Sequence, residues 1–406
     1  MTDHAGRGGV RRLRVLEIET FGRGGLIHYA FNLAGALAAR GHGVTLLTAA
    51  AYELDDRPLP EGVALVKAIG GFTHRFGHAL PSPLASMARK LEALADACAV
   101  AFRARRLRPD VVHLHCTNQV ALAYITLLRL FRLPLVVTAH VVTPHEPTAR
   151  LVAVHRRIHR ASPTIVAHSA FDRKRLVDEV GIEGARVTVI PHGEYGFFEE
   201  PGAEVDRDDA RRLIGLSPED EAVLFFGYIR EYKGLDILLE AWPAVAAARP
   251  RARLVIAGDP VQLPPSRRAE LEAAASRVGA LHRFEYVPFG EVTRYCAAAD
   301  LLVLPYRRVS QSGVLYLALA RGLPVVATRV GALAEVLRDG ESALLVEPES
   351  PDALASALRR ALTDAGLRRR LAEGGRAVAA EHSWPSIARL TERVFEEVAT
   401  AAQPPR

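Results

Sequence analysis

Short apolar runs alternate with stretches of helical periodicity along almost the whole chain, the pattern of parallel sheets covered by helices on both faces. In the first half the runs predict strands at Leu13–Glu19, Gly43–Thr48, Val63–Ala68, Val111–His115, Leu135–His140, Thr164–His168 and Val187–Ile190, with helices between them. A second series starts at Val223–Gly227 and continues through Leu254–Ala257, Phe284–Val287, Leu301–Leu304, Val325–Thr328 and Ala343–Val346. Between the two series, from Pro191 to Pro218, the chain is rich in Gly, Pro and acidic residues and shows no strand alternation. The expectation is therefore an α/β protein of two Rossmann-like, doubly wound parallel-sheet domains. Residues 1–192 form the first domain, 193–217 a linker, 218–383 the second domain, and 384–406 a helix followed by no strand. The helix expected at Ser86–Arg108 carries Met87, Leu91, Leu94 and Cys98 at helical spacing, which reads as a stripe facing the core.

Composition supports two globular domains: 406 residues, 49% hydrophobic and 24% charged, are ample for two cores. Charge adds a polarity along the chain. Residues 1–160 hold 21 Lys+Arg against 11 Asp+Glu, while the remainder holds 31 against 35. The first half is thus expected to face something anionic, such as a phosphate-bearing ligand or a membrane surface. Nucleic acid is not expected, because the basic residues are scattered among βα elements without a recognition module or an aromatic stacking face. Glu17 and Glu19 interrupt any apolar leader, and Arg129 cuts the run Val120–Phe131 well short of the roughly 20 residues that span a bilayer. A cytoplasmic protein is expected, with peripheral contact at the inner face of the membrane through the basic domain. Cys98, Cys116 and Cys296 share no metal-ligand spacing and read as small core residues.

Ligand sites of open parallel sheets lie beyond the carboxyl ends of the strands, so three strand-to-helix loops carry the candidate chemistry. Phe21-Gly22-Arg23-Gly24-Gly25 lets backbone approach a ligand closely and leads into a helix N-terminus, suited to an anion. It is neither a Walker A loop nor a spaced dinucleotide fingerprint. Phe226 to Gly234 contains Arg230 and Lys233, a bidentate and a point-charge cation that suit a diphosphate. Lys233 is one of only four lysines against 48 arginines, which makes it a selective choice. Pro305 to Val314 ends in Gln311-Ser312-Gly313-Val314, whose successive amides at a helix start form an anion nest or, more plainly, a Ser-capped helix. His115 and His140 close strands, and His145 and Glu146 follow His140 in the next loop, so these four are candidates on the acceptor side and at the sugar. Asp206-Arg207-Asp208 could be a metal triplet, but its place just before a helix favours a capping role.

These residues, taken in order, resemble glycosyltransferase family 4, the retaining enzymes of the GT-B fold. The resemblance rests on Gly24-Gly25, Arg40-Gly41-His42-Gly43, Pro109-Asp110-Val111-Val112-His113-Leu114-His115, Thr138-Ala139-His140, Pro191-His192-Gly193, Gly227 through Lys233-Gly234, Gly322-Leu323-Pro324 and Gly331 through Glu335, and it covers Leu13 to Val398. It implies two domains facing a central cleft, a nucleotide diphosphate sugar held mainly by the second and a hydroxyl acceptor, in this family sometimes lipid-linked, by the first; the basic excess of residues 1–160 adds the expectation that the acceptor, or what carries it, is anionic. It further implies Arg230 and Lys233 at the donor diphosphate, with Gln311 and the Ser312, Gly313 and Val314 amides beside it. Gly24 and Gly25 would lie on the phosphate and acceptor side, and His140 would point at the donor sugar. No metal or other cofactor is implied. Two departures stand out: Tyr228 occupies the position of a common arginine, and the paired glutamates of the third loop are Val309 and Leu317 here. The alternatives on the same architecture are a sugar-nucleotide epimerase, a phosphorylase, for which lysines are scarce, and a non-catalytic nucleotide-sugar or glycan-binding homologue.

Overall fold

Strands that are buried along their whole length, such as Val111–His115 and Leu135–Ala139, can lie only in the middle of a sheet covered on both faces. A computed structural model describes residues 11–71, 82–115, 120–143, 148–195, 205–261 and 263–402. The chain forms two units, one of Met1–His168, Arg173–Pro191 and Trp384–Arg406, the other of Ser169–Asp172 and His192–Ser383.

In the first unit, β1 (Arg14–Glu19), β2 (Gly43–Ala49), β3 (Val63–Ile69), β4 (Val111–His115), β5 (Leu135–Ala139), β6 (Thr164–Ala167) and β7 (Val187–Val189) make a parallel sheet of order β3-β2-β1-β4-β5-β6-β7. Strand order reverses between β1 and β4, the place where ligands gather outside the strand ends. The register pairs Glu17 with His113 and Glu19 with His115. Because side chains alternate with period two, Glu17, His113 and His115 share one face of the sheet. Helix Gly25–Ala39 and the last helix, Trp384–Ala401, cover that face, burying Ile27, Tyr29, Leu33 and Leu37 with Trp384, Ile387 and Phe395. Glu392 fixes the last helix by accepting hydrogen bonds from Arg40 (3.0 Å from Nε) and from His42 (2.8 Å).

In the second unit, β8 (Glu221–Phe226), β9 (Ala252–Ala257), β10 (Leu281–Arg283), β11 (Leu301–Leu304), β12 (Val325–Thr328) and β13 (Leu344–Val346) are ordered β10-β9-β8-β11-β12-β13, all parallel, and the order reverses between β8 and β11. The two sheets are the Rossmann-like pair expected from the hydrophobic pattern.

Three local expectations are corrected. Strand β10 lies at Leu281–Arg283 rather than Phe284–Val287; Phe284 and Val287 are buried as loop residues, while Tyr286 is exposed. The helix runs Ser82–Leu107, and Met87, Leu91 and Leu94 point outward at 55%, 66% and 59% exposure, with Cys98 exposed as well. Its inward side is Ala97, Val100, Ala101 and Ala104, small residues that allow close approach to the sheet. Cys296 is buried, and Cys116 lies outside the described residues. Finally, the described part of 193–217 is no free linker. It holds helix Arg207–Leu213, whose buried Arg211 donates to Asp300 Oδ2 at 2.8 Å.

Candidate active site

In the second unit the loops after β8 and β11 meet at the switch point. Gly234, at φ 68°, joins the short turn Glu231–Lys233 to helix Leu235–Ala248, and a Cβ there would lie 2.1 Å from the Pro305 carbonyl oxygen. Only glycine allows the two loops to close in this way. Arg307 clamps them further. Its guanidinium donates to both Asp236 oxygens at 2.9 and 3.0 Å and to the Glu231 carbonyl at 2.8 Å, while its amide donates to the Tyr232 carbonyl. This bidentate fork is the strong form of such a pair.

Lys233 is carried on that clamped loop and is only 7% exposed. A Cβ on Gly227 would lie 3.2 Å from its Nζ and 3.0 Å from Val314 Cγ2, so the lysine, the end of β8 and the start of helix Gly313–Arg321 converge. Burial, helped by the neighbouring Arg230 charge, pulls the Lys233 pKa down to about 7. Ser312 caps helix Gly313–Arg321, its Oγ accepting from the Leu315 amide at 3.2 Å and lying 3.3 Å from the Tyr306 hydroxyl. The hydroxyl is thus engaged as a cap, and the Tyr195 ring lies over Gly313, 3.1 Å from where a Cβ would stand. Gln311 buries its amide nitrogen without a hydrogen-bond partner. Val309 and Leu317 are core residues at 4% and 3% exposure.

In the first unit the glycine loop is held by two carboxylates that sequence reading had not singled out. Glu19 accepts the amides of Phe21 and Gly22, both at 2.7 Å, and the Thr48 hydroxyl at 2.9 Å. Glu53 accepts the Gly24 amide at 2.8 Å and His28 Nε2 at 2.7 Å. Gly25 begins the helix. Burial opposes ionisation of Glu53, but the bond and charge of His28, the Gly24 amide and the Arg23 charge together outweigh it and hold the pKa below the usual carboxylate range; for Glu19 burial prevails and the pKa is raised. The signal was their position, one carboxylate closing β1 and the other following the neighbouring β2.

Beside that loop lies a buried polar chain. Glu17 is inaccessible to solvent, and its Oε2 is 2.9 Å from His113 Nδ1 and 2.6 Å from His115 Nε2. His113 also meets the Thr138 hydroxyl at 2.6 Å. From His115 the chain continues to His140 and on to His168, so the candidates His115 and His140 are brought together, with His168 and Glu17 added to them. His140 is half-buried, and both its ring nitrogens are engaged within this chain. Tyr29 lies against His115, His140 and His168 with ring centroids 5.4, 4.9 and 5.2 Å away. His145 and Glu146 lie outside the described residues.

Comparison with known proteins gives this geometry its family. Residues 23–193 match the model described as Glycosyltransferase Family 4, and residues 220–364 match that of Glycosyl transferases group 1. The D-inositol 3-phosphate glycosyltransferase of Nocardioides sp. is 33% identical over 404 residues, covering 92% of this chain and 85% of the relative. That of Geodermatophilus obscurus is 30% identical, covering 94% and 87%. Among solved structures, the sucrose-phosphate synthase of Thermosynechococcus elongatus superposes with a TM-score of 0.74 at 21% identity, covering 96% of this chain and all (100%) of that one. Anabaena HepE in complex with UDP and glucose gives 0.73 at 18% identity, covering 96% and 100%. The chain belongs to glycosyltransferase family 4, with the GT-B pair of Rossmann-like domains, and is an enzyme that transfers a sugar from a nucleotide diphosphate sugar to a hydroxyl acceptor.

Proposed function

We propose that the second unit holds the donor and that Lys233 and Arg230, with the Gly313 and Val314 amides, stabilise the leaving diphosphate of a metal-independent transfer that retains configuration at the sugar. The observation that carries the donor assignment is a nearly buried lysine converging with Gly227 and Val314 at the switch point. Pre-aimed cations and amides are effective there because they need no reorganisation as charge develops. The acidic triplet supports the metal-free reading. Asp206 accepts the Asp209 amide at 2.8 Å as a helix cap, and Arg207 pairs with Asp300.

On the acceptor side we read a hydroxyl compound bearing phosphate, bound by the first unit. Support comes from the excess of 21 Lys+Arg over 11 Asp+Glu in residues 1–160 and from relatives named for D-inositol 3-phosphate. We further propose that this unit rests on an anionic membrane surface. On helix Ser82–Leu107 the exposed Leu84, Met87, Leu91, Leu94 and Phe102 form an apolar row, with exposed Arg89, Lys90, Arg103, Arg105 and Arg106 on the same helix. Such a helix lies in an interface, and no helix among the described residues is long and apolar enough to cross a membrane. The donor is tested by a thermal-shift panel of UDP-, GDP-, ADP- and TDP-sugars, since a ligand at about 100 times its Kd stabilises by about 2.7 kcal/mol. Stabilisation by one base class, lost in Lys233→Ala, supports the reading; a panel without any shift contradicts it.

A further inference from the structure

The buried chain beneath His140 has a fixed proton count. Its four hydrogen bonds run from Glu17 Oε2 to His115 Nε2 (2.6 Å), from His115 Nδ1 to His140 Nε2 (3.2 Å), from His140 Nδ1 to His168 Nε2 (3.1 Å), and from His168 Nδ1 to the Ile190 carbonyl oxygen (3.0 Å). Every bond needs one proton, so the chain needs four. A carbonyl can only accept, and so can an ionised carboxylate. Three neutral imidazoles bring three protons. With Glu17 ionised, one of the three rings must therefore be an imidazolium. His113 stands outside the count, because it donates from Nδ1 to Glu17 and accepts the Thr138 hydroxyl at Nε2 while neutral.

The electrostatics agree with this inventory. Burial works to raise the Glu17 pKa, but His113 and His115 together hold it down to about 2. Burial, together with His113, drives His115 down to about 4, which disfavours the charge on His115 itself. When the charge shifts between rings, one proton hops across the shared hydrogen bond from the donating to the accepting nitrogen, and the total is unchanged.

We propose that Glu17 is a positioning residue of the transferase: by anchoring the His115–His140–His168 chain it keeps one imidazolium there, so that His140 meets an anionic ligand through a cationic ring rather than through a free N–H. The structural part stands on the hydrogen-bond inventory together with an ionised Glu17, whereas the kinetic part rests on the reading of His140 as a site residue. A fixed positive charge that meets negative charge as it develops acts mainly in the transition state, so its loss falls on kcat.

The test uses the full chain labelled with 15N-histidine and free of ligand, observed at about pH 8, where an unperturbed imidazole with a pKa near 6.5 is neutral. The wild type should show a ring protonated on both nitrogens that disappears in Glu17→Gln and persists in Thr138→Val, which removes a hydroxyl from His113 and leaves all four bonds of the chain in place. Using the donor found in the panel, Glu17→Gln should lower kcat about tenfold or more with the donor KM within about twofold, while Thr138→Val stays near wild type. Wild-type spectra with only neutral rings overturn the proposal whether or not the variant folds. A folded Glu17→Gln with unchanged kcat overturns the positioning role even if the imidazolium is seen. Failure of the functional reading shows separately, as absence of donor turnover by the wild type.

Discussion

The Gly24 amide donates to the Glu53 carboxylate at 2.8 Å, so a carboxylate of the protein already occupies the donor group that the glycine loop would offer an anion. His28 holds Glu53 there from the other side. A phosphate-bearing ligand that uses this loop must displace Glu53. The Glu53→Gln variant, which removes the competing charge, should bind the phosphate-bearing acceptor about five- to tenfold more tightly, roughly the worth of one ordinary hydrogen bond. Calorimetric titration with D-inositol 3-phosphate checks this, and weaker binding would show that Glu53 assists the ligand instead.

Lys233 predicts opposite pH trends for stability and for donor binding. Its pKa is lowered in the folded state, so between pH 7 and the unfolded value of 10.5 the unfolded chain binds more protons and the ligand-free protein gains stability as pH rises. A diphosphate favours the ammonium form, so donor affinity should fall over the same window, by up to about tenfold per pH unit. Lys233→Arg should flatten that decline. Denaturant melts and donor Kd measured from pH 6.5 to about 9.5 separate the two effects.

Asp236 reaches the Glu231–Lys233 turn through two arginines, Arg307 and Arg267, the latter also donating to Glu231 at 2.8 Å. Asp236→Ala removes both hydrogen bonds of the fork and loosens the Glu231–Lys233 turn, at a cost of about 1–3 kcal/mol. Donor KM should rise while the acceptor KM stays constant. Initial-rate kinetics with each substrate varied in turn distinguish this from a general loss of fold.

The apolar row on helix Ser82–Leu107 gives a prediction of the opposite kind. Leu91→Glu with Leu94→Glu places charge where the native side chains are 66% and 59% exposed, so melting should change little, within about 0.5 kcal/mol per site. Co-sedimentation with vesicles containing phosphatidylglycerol should be lost. Retained sedimentation would rule this helix out as the contact.

Much of the architecture was legible because a buried parallel strand has few other readings. The run Val111–His115 coincides with β4, and the loops after β8 and β11 stand where strand-to-helix transitions placed them. The helix Ser82–Leu107 was misread for a definite reason: both of its stripes are apolar, and periodicity cannot tell which turns inward. Size did tell, since Ala97, Ala101 and Ala104 allow close packing that Met87 and Leu91 do not. Glu17, Glu19 and Glu53 escaped notice because their roles depend on register across strands distant in sequence. Only the pairing of Glu17 with His113 brings a carboxylate and two histidines onto one face.

The central claim, donor transfer resting on Lys233 of a family 4 glycosyltransferase, is tested most directly by nucleoside diphosphate release. The assay supplies the donor chosen by the thermal-shift panel, with and without D-inositol 3-phosphate and other phosphorylated polyols, and the anomeric configuration of the product is read by NMR. Release that depends on acceptor, survives EDTA, retains the donor's configuration and drops about a hundredfold or more in Lys233→Ala is the predicted result. Full turnover by Lys233→Ala, or turnover of the nucleotide sugar that is indifferent to acceptor, would contradict it.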